Sequence, residues 1–291
     1  MRARQLEVFT AVMRAGTVTG AARLLNISQP ALSQVLMHCE DELGFPLFDR
    51  EKGRLRPTPE ALELYPEAER LFASLEGLRR KTQDLRLGRA GLVRIASSAP
   101  PAMSLLPQVM ATFRARHPDI LLRSHVAPLA SLIAMLRAGD AALALALDDR
   151  LAPDIDVEIL RQVGFCCLLP EGHILADKPK LTFADLEAEH VISYRAVTRP
   201  HEELDQAARA QGVRFTPQLE IDVSISAVGF VQAGLGVAVV DDLLPWGQFS
   251  RVVTRPLTGA PDMPLALLTL AGKTLSRAET LMADQIRTAI P

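Results

Sequence analysis

The sequence predicts an α/β fold of two small subdomains over residues 91–291, preceded by an all-α winged helix-turn-helix over 1–58 and a long linker helix over 59–90. Three observations support this division. Short amphipathic segments fill the first part, leucines at heptad spacing fill the second, and apolar runs alternate with helical stretches in the third. A chain of 291 residues is long enough for two or three domains.

Signals for helix ends place three helices and a wing in residues 1–58. Thr17 and Ser28 are suited to cap the second and third helices, because a hydroxyl accepts from the free N–H groups of a first turn. Pro30 fits the first turn of the third helix and Gly44 is suited to end it. The basic, turn-prone stretch 49–57 predicts a β-wing. The residues expected to form the small core of the helix-turn-helix are Ala21, Ala22, Leu24, Leu25 and Ile27.

Apolar residues recur at alternating spacings of three and four over residues 59–87. This pattern is typical of a helix that pairs with a partner helix, and the alternative of a helix that packs on its own domain stays open. Pro66 falls inside the helix, where a proline removes a backbone hydrogen bond and can cause a kink. The leucines predicted to form the dimer seam are Leu64, Leu71, Leu75, Leu78 and Leu85.

From Gly91 onwards, apolar runs of strand length alternate with helical stretches. The alternation predicts βαβ units and mainly parallel sheets. About 200 residues favour two subdomains, placed at about 91–161 plus 266–291 and at 162–265. The predicted strands are Leu92–Ala96, Ile120–His125, Ala142–Leu147, Phe165–Leu169, His190–Ser193, Gly236–Val240 and Leu265–Leu270.

Composition is ordinary for a soluble globular protein, with 48% hydrophobic and 23% charged residues. The net charge is −2, although residues 1–58 carry eight basic and six acidic side chains. No apolar run reaches membrane-spanning length, and the first residues do not resemble a signal peptide, so we expect a cytoplasmic protein. Cys39, Cys166 and Cys167 are expected to be reduced and buried, and no spacing indicates a metal site or a cofactor.

A helix-turn-helix places its second helix in the major groove of DNA. On the predicted third helix, Gln29, Ser33, Gln34 and His38 can point outward, and these residue types suit base edges and phosphates. Four basic residues follow that are suited to hold the phosphate backbone or enter the minor groove. They are Arg50, Lys52, Arg54 and Arg56.

The segment from Leu6 to Arg50 resembles the N-terminal signature of the LysR-type transcriptional regulators, with matching elements in register over some 45 residues. Those elements are Phe9, Ala21–Ala22, Leu24, Ser28–Ser33, Glu40, Leu43–Gly44, Leu47–Phe48 and Arg50, then Thr58. The resemblance continues to the end of the chain, through Leu105–Pro107, Phe113, Pro118, His173, Leu175 and Val231–Gly236. The chain departs from the usual family residues at Glu60–Ala61, Ala142, Ile174 and Cys39.

The resemblance implies a regulator that binds double-stranded DNA at a palindromic promoter site, as a homodimer or homotetramer, and acts with RNA polymerase. It places the residues Gln29, Pro30, Ser33 and Gln34 at the DNA surface. It also places Arg50, Arg54 and Thr58 near phosphates. A purely structural role for Pro30 and Ser33, in shaping the first turn or packing, stays open.

The resemblance further implies that residues 91–291 are similar to periplasmic binding proteins, with two Rossmann-like subdomains around an effector cleft. Ligands in such folds bind beyond the carboxyl ends of strands, near helix N-termini. We therefore expect a small carboxylated metabolite at Ser97, Ser98, Pro128, Ser131, Thr198, Arg199, His201 and Ser226. For Ser98 and Ser131, simple helix capping is an equally good interpretation.

Three other functions remain as alternatives. Cys166, Cys167 and His173 are close in sequence, as in a thiol enzyme, but a thiolate is disfavoured in a buried strand. No catalytic site is predicted. A solute receptor would lack the DNA-binding signature, and a constitutive DNA-binding protein would carry a vestigial sensor domain.

Overall fold

The computed structural model describes residues 1–51, 54–86 and 91–290; side chains are described except at 50, 51, 54, 73, 74, 76, 79–81 and 83–86. The chain forms two compact units, residues 1–87 and the large majority of residues 88–291. The N-terminal unit contains helices α1 (Ala3–Ala15), α2 (Val18–Leu24) and α3 (Gln29–Leu43), strands β1 (Phe48–Glu51) and β2 (Arg54–Pro57), and helix α4 (Pro59–Arg86).

The predicted helix ends and wing are confirmed. The Thr17 hydroxyl accepts from the Gly20 N–H at 3.1 Å, and the Ser28 hydroxyl accepts from the Ala31 N–H at 3.4 Å. Gly44 ends α3 in the left-handed conformation, with φ of 79°, which glycine adopts without steric cost. Strands β1 and β2 pair antiparallel as the wing.

The core of the N-terminal unit differs from the prediction at Leu24, which is 62% exposed. Ala22 is buried, and Val18 and Leu25 are partly buried against the same cluster. These three residues, at i, i+4 and i+7, define the inward face of α2. Leu24 lies one residue before Leu25, so its side chain points about 100° around the helix from that position.

Helix α4 is uninterrupted over 28 residues and continues through Pro66. Its first turns complete the core of the N-terminal unit, because Ala61 and Ala68 are buried and Leu64 is partly buried in that cluster. Leu71 and Leu78 further along are 62% and 61% exposed. The heptad positions therefore lie in two environments: the first are in the core of the N-terminal unit, whereas Leu71 and Leu78 face solvent.

The C-terminal unit alternates strands and helices. In chain order they are β3 (Leu92–Ser97), α5 (Ala99–Met103), α6 (Leu106–Arg116), β4 (Leu121–Val126), α7 (Leu129–Ala138), β5 (Leu143–Ala146), β6 (Ile155–Val163), β7 (Phe165–Pro170), β8 (Val191–Tyr194), α8 (Arg199–Ala210), β9 (Leu219–Ile221), α9 (Ala227–Gln232), β10 (Val237–Asp241), β11 (Val252–Pro256), β12 (Met263–Leu270) and α10 (Arg277–Ala289).

Two five-stranded sheets divide this unit into two α/β subdomains, as the sequence predicts. The first has the order β4-β3-β5-β12-β6 and the second β11-β7-β10-β8-β9. The chain crosses from the first to the second at Gly164, between β6 and β7, and returns before β12. Helices cover both faces of each sheet; in the first, Phe113 and Met282 pack on one side and Leu132 and Leu136 on the other.

The expectation of mainly parallel sheets is wrong. In the first sheet β3 is parallel to β4 and β5, but β12 is antiparallel to β5 and β6. In the second, β8 is parallel to β9 and β10, and β7 is antiparallel to β10 and β11. All seven predicted strands are present. Strands β6, β9 and β11 were not predicted, because they lie at sheet edges and carry many polar or half-exposed residues.

Candidate functional site

Helix α3 presents polar side chains on the surface of the N-terminal unit. Gln29, Pro30 and Gln34 are exposed and Ser33 is half-buried. The Gln29 side-chain oxygen accepts a hydrogen bond from the Thr19 hydroxyl of α2 at 3.3 Å. The start of α3 is thus fixed both by its cap and by the preceding helix.

A groove of about 340 Å³ separates α3 from the wing. Pro30, Ser33, Gln34 and Met37 line it from the helix, and Leu55 lines it from β2. Three of the residues predicted at the DNA surface are therefore brought together beside the wing.

Glu40 anchors the wing to α3. One carboxylate oxygen of Glu40 accepts the Leu47 N–H at 2.7 Å and the Phe48 N–H at 3.1 Å. Leu47 and Phe48 are buried residues, and the two hydrogen bonds are partly buried. The prediction of surface residues did not include Glu40, because its role depends on donors seven and eight residues away.

Thr58 was predicted to lie near a phosphate, and the structure places it in the interior rather than at the surface. Thr58 is 4% exposed. Its hydroxyl contacts the Pro46 and Leu47 carbonyl oxygens at 3.0 and 3.2 Å and accepts from the Ala61 N–H at 3.2 Å. Thr58 therefore joins the wing to the first turn of α4.

The predicted phosphate contacts of the wing are only partly described. Arg50 lies on β1 opposite Leu55, and Arg54 begins β2 opposite Glu51. The side chains of Arg50 and Arg54 lie outside the described residues, as does Lys52 altogether. Arg56 is exposed.

In the C-terminal unit, Ser97 and Ser98 lie at the carboxyl end of β3. Ser97 is fully buried and its hydroxyl donates to the Ser98 carbonyl oxygen at 2.8 Å, so this donor is already used. The Ser98 N–H donates to the Leu145 carbonyl oxygen at 2.9 Å. The Ser98 hydroxyl is buried and has no hydrogen-bond partner in the part of the chain that the structure describes. Helix α5, which begins after Ser98, contacts the 3-10 turn 224–226 of the other subdomain.

The other predicted hydroxyls differ from Ser98. Thr198 donates to the Arg195 carbonyl oxygen at 2.8 Å, and Ser226 donates to the Val223 carbonyl oxygen at 2.7 Å. Both hydroxyls therefore stabilise their own turns. Pro128 and Ser131 are exposed at the start of α7.

Arg199 already has anionic partners. One guanidinium nitrogen lies 2.5 Å from an Asp148 oxygen and 2.6 Å from an Asp149 oxygen. Burial lowers the pKa of Arg199, but the hydrogen bonds to Asp148 and Asp149 more than offset it, so the pKa is raised. The predicted role of Arg199 in holding an effector carboxylate therefore does not fit this arrangement.

His201 is in a different environment from Arg199. Its Nδ1 lies 3.2 Å from the Tyr194 carbonyl oxygen and its ring packs on Phe215. With Phe215 and Asp205 it lines a shallow surface groove of about 880 Å³ that does not include Ser98 or Arg199. The structure does not bring the predicted effector residues together as one set.

A buried polar cluster that the sequence did not predict lies at the end of β10. The Tyr194 hydroxyl donates to one Asp241 oxygen at 2.8 Å, and the Leu243 N–H donates to the other at 3.2 Å. Burial raises the pKa of Asp241, while the hydrogen bond from Tyr194 opposes that shift. The cluster lies next to the 3-10 turn 224–226, which contacts α5. The sequence signal for this cluster was Asp241, a carboxylate at the end of an otherwise apolar strand.

The cysteines are buried, as predicted, and none is in a disulfide. Burial raises the pKa of Cys167 to about 12 and that of Cys166 well above its ordinary value. At pH 8 the thiolate fraction of Cys167 is therefore about a thousandfold below that of a free cysteine.

We expect Cys167 of the native protein to react with Ellman's reagent about a thousandfold more slowly than free cysteine and Cys39 and Cys166 also to react more slowly, with all three thiols reacting after unfolding in guanidinium chloride. The rate should rise with pH, because the reactive thiolate forms only as pH approaches the raised pKa. An Ala115→Cys variant, in which an exposed residue of α6 is replaced, provides the fast-reacting control. Rapid reaction of wild-type thiols would contradict this prediction.

Across residues 1–51, 54–86 and 91–290, no three His, Cys, Asp or Glu side chains are grouped so that they could hold a metal ion. Within the same ranges, no helix is both long enough and apolar enough to cross a membrane.

Two family models match the chain. "Bacterial regulatory helix-turn-helix protein, lysR family" matches residues 3–62. "LysR substrate binding domain" matches residues 86–291. The first includes α3 and the wing, and the second includes both α/β subdomains.

Curated relatives and solved structures agree with these matches. The Regulatory protein NocR of Agrobacterium fabrum is 32% identical over 83% of this chain and 80% of its own. The Transcriptional activator protein LysR of Escherichia coli is 34% identical over 87% of this chain and 82% of its own. The crystal structure of CbnR, a LysR family transcriptional regulator, has the same fold, with a TM-score of 0.71 at 18% identity and full coverage of both chains. The crystal structure of full-length CbnR in complex with its target DNA has a TM-score of 0.70 at 18% identity and covers 99% of this chain and 100% of its own. The chain belongs to the family of LysR-type transcriptional regulators.

Proposed function

We propose that the protein recognises a palindromic promoter site through helix α3 and that a small carboxylated metabolite switches this activity. DNA recognition through α3 is supported by one observation: the exposed side chains of Gln29 and Gln34 lie on α3, next to a wing that Glu40 fixes to the helix. Glutamine and serine side chains suit base edges, and the wing basic residues suit phosphates. The relative CbnR has been solved with its target DNA, which supports the same use of this fold.

The test is to map genomic DNA bound by the purified protein and to footprint the strongest site. The proposal expects protection of a palindromic site upstream of a gene, because a two-fold protein reads a two-fold site. Weak binding that is equal for all sequences and is lost with modest salt would mean backbone attraction alone, and it would overturn the proposal.

The later part of α4 supports a homodimer. Leu71 and Leu78 are exposed and separated by seven residues, so they form one row along the helix with Leu75 between them. Leu85 continues the heptad in the sequence, and its side chain lies outside the described residues. Leu64 is partly buried within its own unit, so it contributes mainly to that core.

We expect Leu71→Asp and Leu78→Asp to weaken the dimer by about 3 kcal/mol or more, roughly a hundredfold in Kd, because each places an unpaired carboxylate in an apolar seam. Sedimentation velocity over a concentration series measures this. Leu62→Asp is the matched control, since Leu62 is 56% exposed on α4 but outside the heptad row. Unchanged dimers in both seam variants would contradict the assignment.

Ser98 is the best-supported residue for the effector. Its buried hydroxyl has no partner among the described residues, and burying a polar group without a partner costs about 1–3 kcal/mol. Pro100 and Pro101 carry no N–H, so the first turn of α5 offers the Ala99 N–H beside the Ser98 hydroxyl. Together they supply two donors to one carboxylate.

We expect a screen of carboxylic metabolites by thermal shift to find a stabilising ligand, and Ser98→Ala to bind it roughly tenfold more weakly or worse. Ser104→Ala is the matched control, because its hydroxyl is already bonded to the Pro100 carbonyl oxygen at 2.8 Å. A neutral effector, or unaltered affinity in Ser98→Ala, would contradict the carboxylate assignment.

The remaining parts of the proposal follow from the same role. A promoter-binding regulator acts in the cytoplasm, with RNA polymerase as its partner, and as a binding protein rather than an enzyme. Turnover of the identified effector by purified protein would contradict the last point.

A further inference from the structure

A charged cluster joins the two α/β subdomains. Asp148, Asp149 and Arg150 follow β5 of the first subdomain, and Arg199 and Glu203 lie in the first turns of α8 in the second. The Arg199 guanidinium of the second subdomain is 2.5 and 2.6 Å from Asp148 and Asp149 of the first. In the reverse arrangement, Arg150 of the first subdomain pairs with Glu203 of the second. Each subdomain therefore supplies both a cation and an anion.

The cluster is more than a set of surface ion pairs. The side chains of Arg199, Asp148 and Glu203 are only 14%, 15% and 17% exposed. Asp148 is also fixed within its own loop, because it accepts the Arg150 N–H at 2.9 Å. Exposed ion pairs add little to stability, whereas the charges of partly buried networks are less screened by water and salt.

The position of the cluster relates it to the cleft. The loop 147–154 follows the carboxyl end of β5, and α8 follows the carboxyl end of β8. The Ser98 N–H bonds to the Leu145 carbonyl oxygen, so the end of β3 and the end of β5 lie at one edge of the first sheet. The cluster thus spans the two subdomains at the edge where ligands of such sheets bind.

We propose that Asp148, Asp149 and Arg150 with Arg199 and Glu203 form an electrostatic latch that holds the two subdomains closed, and that opening of the cleft requires its release. The latch depends only on the geometry of the C-terminal unit. Its role in admitting an effector rests on the proposed function.

Hydrogen exchange of the full-length protein without any added ligand tests the latch separately from effector binding. Asp148→Asn/Asp149→Asn should speed amide exchange in residues 196–204, and Arg199→Gln should speed it in 147–154, each by roughly fivefold or more. The triple variant Asp148→Asn/Asp149→Asn/Arg199→Gln should exchange no faster than either parent variant in the segment where that parent is measured. The reason is that both parents remove the same interaction. Arg150→Gln should act in the same direction but more weakly.

The matched control is Glu158→Gln, which removes the charge and one of the two accepting oxygens from the pair of Glu158 with Arg287 inside the first subdomain. It should leave exchange in 196–204 unchanged. If each latch variant speeds exchange only in its own subdomain, or if the effects of the two sets add in the triple variant, the latch is overturned. Failure of the wild-type protein to bind a specific DNA site, with this cross-subdomain coupling intact, would instead count against the proposed function alone.

Discussion

Replacing Gln34 by alanine is expected to reduce affinity for the footprinted site by about 1–3 kcal/mol, roughly five- to 150-fold, while affinity for a scrambled duplex changes little. Gln34 is exposed on α3 and lines the groove beside the wing, and a glutamine amide offers both a donor and an acceptor to a base edge. Fluorescence anisotropy with both duplexes at one fixed salt concentration measures the ratio. The ratio, rather than the affinity alone, identifies base contact.

Gln108→Ala is the control for that experiment, because Gln108 is an exposed glutamine on α6 of the C-terminal unit. It should leave both affinities unchanged. If Gln34→Ala weakens binding to both duplexes equally, Gln34 contacts the phosphate backbone and the assignment of base reading to it is wrong.

Glu40→Ala is expected to destabilise the N-terminal unit by about 3 kcal/mol, since it leaves two buried N–H donors, those of Leu47 and Phe48, without an acceptor. DNA affinity should fall as well, because the wing is no longer fixed to α3. Hydrogen exchange of the α3 and β1 amides across a urea series measures the loss in this unit without interference from the C-terminal unit.

Two variants sharpen the Glu40 experiment. Glu40→Gln keeps a side-chain oxygen that can accept both N–H groups, so it should retain most of the stability. Glu63→Ala removes an exposed glutamate from α4 and should change stability by no more than about 0.5 kcal/mol. Equal stability of Glu40→Ala and wild type would show that water or another acceptor replaces the carboxylate.

The sequence was sufficient to predict helix ends, because these depend on residues that are close together along the chain. Thr17, Ser28 and Gly44 mark helix ends through bonds that span three or four residues, and these positions were predicted correctly. Six of the seven predicted strands were found because burial on both faces requires continuous apolar runs; the exception is β4, an edge strand whose residues are mostly exposed. Leu24 was misplaced because the inward direction of a seven-residue helix depends on its neighbours.

Long-range pairing explains most of what the sequence could not predict. Arg199 was read as an anion-binding residue, whereas its partners lie 50 and 51 residues earlier in the chain. The run Asp148-Asp149-Arg150 was visible, but no rule of spacing connects it to α8. Thr58 was assigned to the surface from resemblance alone, and only the three-dimensional structure shows that its hydroxyl is enclosed by the wing and α4.

The first turns of α4 belong to the core of the N-terminal unit, and this determines where the chain can be divided into fragments. A fragment that stops at residue 58 would lack Ala61 and Ala68, both buried in the core of the N-terminal unit, and would expose Phe9 and its neighbours. Chimeric regulators that exchange input domains should therefore be joined after Arg86, the last residue of α4, so that the N-terminal core and the whole proposed seam stay with the DNA-binding unit.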